Sequence, residues 1–471
     1  MIASLWVAFT PASLINAQTL SERVAAYDLK GGNIGISIVP LDTQFADGYN
    51  HHQRFMPASS LKLVTTASAF HFLGDFSNAG WPRGTVLAVE TTGELHEHPD
   101  IRLIGSGDAT LSAEPNCEQN CLSTLADMLA SSSIREIGRI IVDDSLFRPP
   151  FRPDGWSHDD LKFAYGAAIS ALIVDKGEAE ARISATRGPA PQIEFSWQYE
   201  PAFPVSVEDV TTRSGQQDLE LDLQSGRFRA RFSGNLPPGR NLPLRFGLDD
   251  PAVYAGQALR QMLQARGVSV SGNILRADDS LLKSQDGRTE IARYALSPPD
   301  PANTLEAILH DSSNVDSETL LQHVALSLGD RTPESGLWLS THILLEAGAN
   351  EDEVEIADGS GLSVYNRVSP DAMTKMLVWA TGQDWFESWY GLIATSGEDG
   401  TLSRRFVSAI LPGVIKAKTG SVNDTDTLAG YFKASSGRDF AFAIFINDTA
   451  LTHREARGVI DDILLDLILT N

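Results

Sequence analysis

Basic residues are scarce in this 471-residue chain, in which 37 Lys and Arg stand against 61 Asp and Glu and give a formal net charge of −24. Binding to a phosphate backbone depends on Lys and Arg that displace counterions, so this deficit argues against nucleic-acid partners. The hydrophobic fraction of 42% is nevertheless high enough for a large buried core. The length predicts two or three domains in a globular protein.

Cysteine is also rare, since Cys117 and Cys121 are the only two. A pair this close is either a small disulfide loop or half of a metal site, and zinc needs about four ligands. No Cys or His cluster nearby completes such a set, so we favour a disulfide formed in an oxidising compartment. The sequence His96-Glu97-His98 has no third ligand at helical spacing, and we therefore predict neither a metal nor a cofactor.

Long hydrophobic runs are missing after the first residues, and no later stretch approaches the roughly 18 apolar residues of a membrane helix. The first 21 residues carry no charge, and residues 1–15 are mostly apolar before Asn16 and Ala17. This pattern resembles a secretory signal peptide over residues 1–17, although no basic residue precedes the apolar run. We expect an exported, periplasmic protein with no integral membrane span in the mature chain.

The two ends of the chain carry patterns of helices and strands that fit one layered domain. The predicted elements are a strand at 33–41, helices at 61–73, 302–309 and 318–328, strands at 414–418, 428–434 and 440–446, and a helix at 453–469. This order predicts an α/β (α+β) fold in which an antiparallel sheet, rejoined by the N-terminal strand, is flanked by helices. Residues 74–289 instead alternate short strands with Gly, Pro and Asp turns, which predicts a large β-rich insertion.

Ser59 and Lys62 form the first candidate catalytic pair, at the start of a predicted helix. Residues three apart share a helix face, so the Lys62 amine would stand beside a hydroxyl that it could deprotonate. A helix N-terminus also offers backbone N–H groups to a developing oxyanion. Ser280 and Lys283 have the same spacing, which shows that this pattern alone is weak.

Two further motifs strengthen the interpretation of Ser59 and Lys62 as a catalytic pair. Ser312 and Asn314 form a Ser-x-Asn motif, and Lys418-Thr419-Gly420 occurs once, at the end of a predicted strand. Its glycine would let a substrate backbone approach closely. Ser-x-x-Lys, Ser-x-Asn and Lys-Thr-Gly in this order are the motif set of penicillin-binding proteins and serine β-lactamases.

Blocks of sequence around the motifs restrict the resemblance to one family among these proteins. They read PASSLKL at 57–63, GSGDATL at 105–111, DDS at 143–145, DGSGLS at 358–363, DGTL at 399–402 and LAGY at 428–431. With these blocks the chain resembles the class C low-molecular-mass penicillin-binding proteins, which are D-alanyl-D-alanine carboxypeptidases and endopeptidases of the DacB type. The resemblance runs from about residue 20 to the end, and it includes the 250 positions between Lys62 and Ser312 in which the family carries two inserted domains.

The resemblance implies a fold and its domain boundaries. A penicillin-binding, transpeptidase-like catalytic domain would comprise residues 18–79 and 287–471. A β-rich inserted domain would comprise residues 80–97 and 187–286, and a second, nested inserted domain would comprise residues 98–186.

The resemblance also implies roles for the motif residues. Ser59 would attack the carbonyl of the penultimate D-alanine. Lys62, its pKa lowered by nearby cationic Lys418 and by burial, would act as general base. Ser312 would relay the proton to the leaving nitrogen, and Asn314 would hold the substrate amide and orient Lys62.

The third motif would bind the substrate end. Lys418 would supply positive potential and Thr419 would hydrogen-bond the terminal carboxylate, with Gly420 beside them. The backbone N–H groups of Ser59 and Ser421 would form the oxyanion hole.

The residues that would recognise the side chain of the stem peptide match the family pattern less well. Family members that act on diaminopimelate peptides place an arginine after the DGSGLS block, where this chain has Val364, and nearby Arg367 would replace it only in a remodelled loop. Asp160 and Tyr165 match the family's partners for the side-chain amine. The alternative is that Asp160 is a solvated turn carboxylate and Tyr165 belongs to the core.

We therefore predict a serine D-Ala-D-Ala carboxypeptidase or endopeptidase that acts on peptidoglycan stem peptides and is acylated by β-lactam antibiotics. One alternative is a β-lactamase, which needs fast deacylation, although no motif supplies a dedicated glutamate base. The other is a catalytically idle wall-binding scaffold, although intact Ser59, Lys62, Ser312, Asn314 and Lys418 argue against it.

Overall fold

A computed structural model of the chain describes residues 20–43, 46–74, 76, 81–91, 98–199, 203–224, 229–277, 288–407 and 413–471. The predicted signal peptide at residues 1–17 lies outside these ranges, as do His96, Glu97, Ser280 and Lys283.

The described residues form 20 strands. They are β1 (Asn33–Pro40), β2 (Asp47–Tyr49), β3 (Val86–Thr91), β4 (Asp100–Ile104), β5 (Glu136–Ile137), β6 (Ile140–Asp143), β7 (Glu178–Ala185), β8 (Ile193–Trp197), β9 (Val205–Thr211), β10 (Glu220–Gln224), β11 (Arg229–Asn235), β12 (Asn241–Gly247), β13 (Ser269–Val270), β14 (Ile274–Arg276), β15 (Thr289–Ala295), β16 (Val354–Glu355), β17 (Arg367–Val368), β18 (Ile415–Val422), β19 (Thr425–Lys433) and β20 (Asp439–Asn447).

Ten α-helices accompany these strands in the described part of the chain. They are α1 (Leu20–Val24), α2 (Lys62–Leu73), α3 (Leu122–Ala130), α4 (Pro251–Ala265), α5 (Pro301–Leu309), α6 (Asn314–Leu326), α7 (Glu334–Glu346), α8 (Pro370–Ala380), α9 (Phe386–Gly391) and α10 (His453–Thr470). No helix among the described residues is long and apolar enough to cross a lipid bilayer.

The central sheet has the strand order β18-β19-β20-β1-β2, and each of its strand pairs is antiparallel. One face packs against α2 and the helices α5 to α9, where Leu63, Met373 and Trp389 join Phe445 in one buried core. The other face packs against α10 through Ile460. The predicted antiparallel sheet flanked by helices is therefore confirmed, with the N-terminal strand rejoining it beside β20.

The segment between α2 and α5 forms the predicted insertion. Strands β14-β6-β4-β3-β15 form its main sheet, and α3 and α4 pack on that sheet through a buried core that includes Leu125 and Leu259. Strands β7 to β12 form two three-stranded sheets with a separate core around Phe232 and Phe246.

The strand pairing differs from the domain boundaries expected above. A boundary at residue 98 would separate β3 from β4, which pair over five positions from Val86 with Ile104 to Glu90 with Asp100. A boundary after residue 186 would separate β7 from its partners β8 and β12. In the described part of the chain, strands β7 to β12, within residues 178–247, pair only with one another, which a strand pattern in sequence does not reveal.

Cys117 and Cys121 form a disulfide, which confirms the favoured interpretation of the pair. It closes a loop in the insertion, directly before α3.

Candidate active site

Ser59 lies in a short 3₁₀ turn (Ala58–Leu61) that leads directly into α2, and Lys62 is the first residue of that helix. Two neighbouring segments leave little space around this turn. A Cβ on Gly420 would lie 2.9 Å from the Ser59 nitrogen, and a Cβ on Gly361 would lie 1.9 Å from the Ala58 carbonyl oxygen. Glycine at these two positions therefore lets β18 and the 358–363 loop close on the turn that carries Ser59.

Lys62 is fully buried and holds three oxygen atoms within hydrogen-bond distance. Its Nζ lies 3.0 Å from Ser59 Oγ, 2.8 Å from Asn314 Oδ1 and 2.6 Å from the Ser360 carbonyl oxygen. Asn314 Nδ2 donates to the Tyr165 carbonyl at 3.0 Å, which fixes the orientation in which Oδ1 faces Lys62. The predicted Ser59–Lys62 pair and Asn314 therefore meet in one place.

Burial lowers the pKa of Lys62 to about 8, against the opposing effect of the Asp358 and Glu318 carboxylates. This differs from the sequence expectation, which gave Lys418 a share in the effect. Burial, followed by the charge of Lys62, instead holds the pKa of Lys418 well below its usual range. The positive charge of Lys62 therefore disfavours the protonated form of Lys418.

Lys418 and Ser312 form a second contact pair in the site. Lys418 Nζ donates to Ser312 Oγ at 2.9 Å and to the Thr419 carbonyl at 2.8 Å. Ser312 precedes α6 and has a positive φ of 62°. Strand β18 continues to Val422, so the Lys-Thr-Gly motif lies within the strand rather than at its end, because pairing with β19 extends to the hairpin turn.

The remaining motif residues line the same strand. Thr419 Oγ1 lies 2.9 Å from Thr401 Oγ1, which belongs to the DGTL block. Gly420 is buried behind Ser59, and Ser421 is exposed. The Oγ of Ser421 donates to Asp426 Oδ1 at 2.5 Å.

Asp160 and Tyr165 lie beside this group. Tyr165 Oη donates to Asp160 Oδ1 at 3.1 Å, and 43% of Tyr165 is exposed, so the structure contradicts the alternative that Tyr165 belongs to the core. Burial, followed by Asp160, raises the pKa of Tyr165 to about 12. Arg367 donates through Nη1 to the carbonyls of Val364 and Asn366, both at 2.7 Å, so its guanidinium is engaged by its own loop.

Glu318 and Asp358 are buried acids that sequence reasoning missed. Glu318 Oε1 accepts the N–H groups of Gly359 and Ser360 at 3.0 and 2.8 Å, and burial, followed by Asp358, raises the pKa of Glu318 to about 8. Asp358 accepts the Trp156 indole N–H at 2.9 Å. A usable signal existed for Glu318, because it follows Asn314 by four residues and so shares its helix face.

One group in the described part of the chain has the donor set for a metal ion, namely His51, His52 and Asp371. Two of its three residues already have charged protein partners. His52 Nδ1 lies 2.6 Å from Glu353 Oε1, and Lys375 Nζ lies 2.7 Å from Asp371 Oδ2. The ammonium of Lys375 occupies the place of a cation, so we assign no metal here.

A serine beside a buried lysine, with a second lysine on the edge strand of an antiparallel sheet, is an arrangement typical of serine acyl-transfer enzymes that use an amine as base. The sequence profile of the D-Ala-D-Ala carboxypeptidase 3 (S13) family matches residues 16–466, and the chain belongs to this family. It is therefore a serine-type D-Ala-D-Ala carboxypeptidase by class.

Curated relatives agree with this assignment, and a solved structure shares the fold. The D-alanyl-D-alanine carboxypeptidase of Actinomadura sp. strain R39 is 29% identical over 422 residues, which cover 84% of this chain and 74% of the relative. DacB of Haemophilus influenzae is 25% identical over 92% of this chain and 88% of its own length. The crystal structure of penicillin-binding protein 4 from Haemophilus influenzae matches the fold with a TM-score of 0.78 at 22% identity, over 96% of this chain and 98% of that one.

Proposed function

We propose that Ser59 is the nucleophile and Lys62 the general base of a carboxypeptidase that removes D-alanine from peptidoglycan stem peptides outside the cytoplasm. The hydrogen bonding of Lys62 carries the proposal. A neutral amine has two N–H groups and one lone pair, and the carbonyl oxygens of Asn314 and Ser360 can only accept. Both N–H groups are therefore committed to those two oxygens, and the lone pair faces Ser59 Oγ at 3.0 Å.

The buried environment of Lys62 supports the role of base. A pKa of about 8 leaves a useful fraction of the amine neutral near pH 7, while the conjugate acid remains strong enough to return the proton. Ser59 attacks the carbonyl of the penultimate D-alanine, and its proton passes to Lys62. The N–H groups of Ser59 and Ser421 hold the oxygen that gains charge.

Ser312 completes the acylation step in this proposal. As the C–N bond breaks, the proton that Lys62 took from Ser59 passes through the Ser312 hydroxyl to the leaving D-alanine nitrogen, which leaves Lys62 neutral again, and Lys418 Nζ, 2.9 Å from Ser312 Oγ, holds that hydroxyl in place. Thr419 binds the terminal carboxylate of the substrate. Water then hydrolyses the acyl-enzyme, with Lys62 and Ser312 acting again as the proton-transfer pair.

Asp160 and Tyr165 are proposed to bind an amine on the side chain of the stem peptide. Both lie at the surface within hydrogen-bond distance of each other, and the backbone of Tyr165 touches Asn314. Asp160 offers an anion for an amine, whereas Val364 is apolar and Arg367 is tied to two carbonyls, so neither of these two residues offers a free cation for a carboxylate.

Product analysis tests the proposed activity. The purified protein is incubated with a stem pentapeptide and, separately, with cross-linked peptide dimers, and free D-alanine and monomers are quantified. Release of D-alanine that disappears in Ser59→Ala supports the proposal, and cleavage of dimers by the same serine adds endopeptidase activity. An unchanged pentapeptide, with benzylpenicillin hydrolysed at many turnovers per second, would instead identify a β-lactamase.

A further inference from the structure

A charged cluster outside the catalytic groups joins the C-terminal helix α10 to the end of β18. Asp426, on β19, accepts hydrogen bonds at both carboxylate oxygens. Ser421 Oγ and Arg457 Nε approach Oδ1 at 2.5 and 3.2 Å, and His453 Nδ1 approaches Oδ2 at 2.8 Å. Arg457 Nη2 also donates to Ser421 Oγ at 2.9 Å.

Ser421 needs such support because packing does not hold it. It is exposed and lies on the edge strand of the central sheet. It pairs with Asp426, and only one further pair, Val422 with Thr425, lies between it and the hairpin turn. Strand ends of this kind open locally at low free energy. The Asp426 side chain is only 2% exposed, so its carboxylate is a fixed anchor that requires its partners.

The two side chains leave the Ser421 hydroxyl little freedom. Its oxygen receives a hydrogen bond from Arg457, and its own proton points to Asp426 Oδ1 or to the Gly420 carbonyl at 2.8 Å. The Ser421 side chain is thus held by both Arg457 and Asp426. These contacts also hold the Ser421 backbone N–H, which forms part of the oxyanion hole in the proposed function. Oxyanion donors act through preorganisation, so a small displacement of such a donor lowers the reaction rate strongly.

We propose that Arg457 and Asp426 are positioning residues for acyl transfer, which hold Ser421 so that its backbone N–H can stabilise the oxyanion. The inference rests on the proposed function of Ser59 and Ser421. Because an oxyanion donor acts on the transition state, loss of the cluster lowers the maximal rate of acylation and leaves the half-saturating concentration unchanged.

Helix α10 supplies a matched control. Arg454 lies three residues before Arg457, is likewise exposed to solvent, and makes no hydrogen bond or ion pair with any residue that the structure describes. Arg457→Gln and Arg454→Gln therefore remove the same charge from the same helix, and only the first removes the contacts to Ser421 and Asp426.

The experiment measures single-turnover acylation by a fluorescent penicillin over a range of concentrations. We expect R457Q to lower the maximal rate about tenfold and to keep a half-saturating concentration within about twofold of the wild type. For R454Q, both the maximal rate and the half-saturating concentration should stay within about twofold of the wild type. Arg457→Lys retains the charge without the forked donor geometry, so it should restore part of the rate. If R457Q fails to fold, His453→Gln, which removes one Asp426 contact, should lower the rate in the same direction by a smaller factor.

Two results would overturn the inference. Equal maximal rates for R457Q and R454Q would show that the cluster does not position the donor. A change in the half-saturating concentration alone would show that Arg457 binds the ligand directly. A wild-type protein that is not acylated at all would instead refute the proposed function, so the two failures are distinguishable.

Discussion

Acylation of Ser59 should accelerate with pH, because Lys62 accepts a proton only in its neutral form. With a pKa of about 8 for Lys62, the neutral fraction is about 1% at pH 6, about 9% at pH 7 and about 50% at pH 8. The acylation rate is therefore expected to rise about ninefold from pH 6 to 7, about fivefold from pH 7 to 8, and less than about twofold from pH 8 to 9.

Single-turnover acylation by benzylpenicillin across pH 6 to 9 measures this profile in the absence of deacylation. The matched variant is Lys62→Arg, which keeps a positive charge in the site but does not release a proton in this range. It should lose about 10²- to 10⁴-fold in rate, the usual contribution of a general base, and should lose the pH dependence as well. A wild-type rate that is flat or falls from pH 6 to 9 would refute Lys62 as the base.

Three further predictions follow from the packing. Gly420→Ala would place a Cβ 2.2 Å from Thr427 Oγ1 and 2.9 Å from the Ser59 nitrogen, so acylation should fall by at least about tenfold in a folded protein, and a wild-type rate would contradict this geometry. Replacing Cys117 and Cys121 by serine should lower the free energy of unfolding by about 2 kcal/mol, as expected for a short loop, with acylation unchanged. Trp156→Phe removes the indole N–H from the buried Asp358 carboxylate and should destabilise the protein by about 1–3 kcal/mol in urea unfolding, whereas no loss would show that another donor replaces it.

Local spacing was sufficient to predict the Ser59–Lys62 contact. Residues i and i+3 meet on one face of a helical turn whatever the rest of the fold does, and the structure places Lys62 Nζ 3.0 Å from Ser59 Oγ. The antiparallel order of the last three strands was predictable for a similar reason, since short turns at 423–424 and 434–438 leave no room for a crossover.

Long-range contacts were not predictable from spacing. Lys418 reaches Ser312 across 106 positions, and only the family motif order suggested that they meet. The pairing of β3 with β4 across residue 98, and of β7 with β12 across residue 186, was not predictable from spacing either. A strand pattern reports propensity for a strand and contains no information on its partner.

Buried polar residues beyond the motifs were harder still to recognise. Helical spacing places Glu318 on the same face as Asn314, but its contacts with the backbone N–H groups of Gly359 and Ser360, which belong to a distant loop, were not predictable. The contact between Asp426 and Arg457 likewise forms only because α10 packs beside the end of β18, which the sequence does not indicate.

The central claim is that Ser59 is acylated, and the most direct test is mass spectrometry of the purified protein after incubation with benzylpenicillin, followed by peptide mapping. We expect one penicilloyl adduct per chain, on the peptide that contains Ser59, and no adduct in Ser59→Ala. An adduct on another peptide, or none on a demonstrably folded protein, would contradict it.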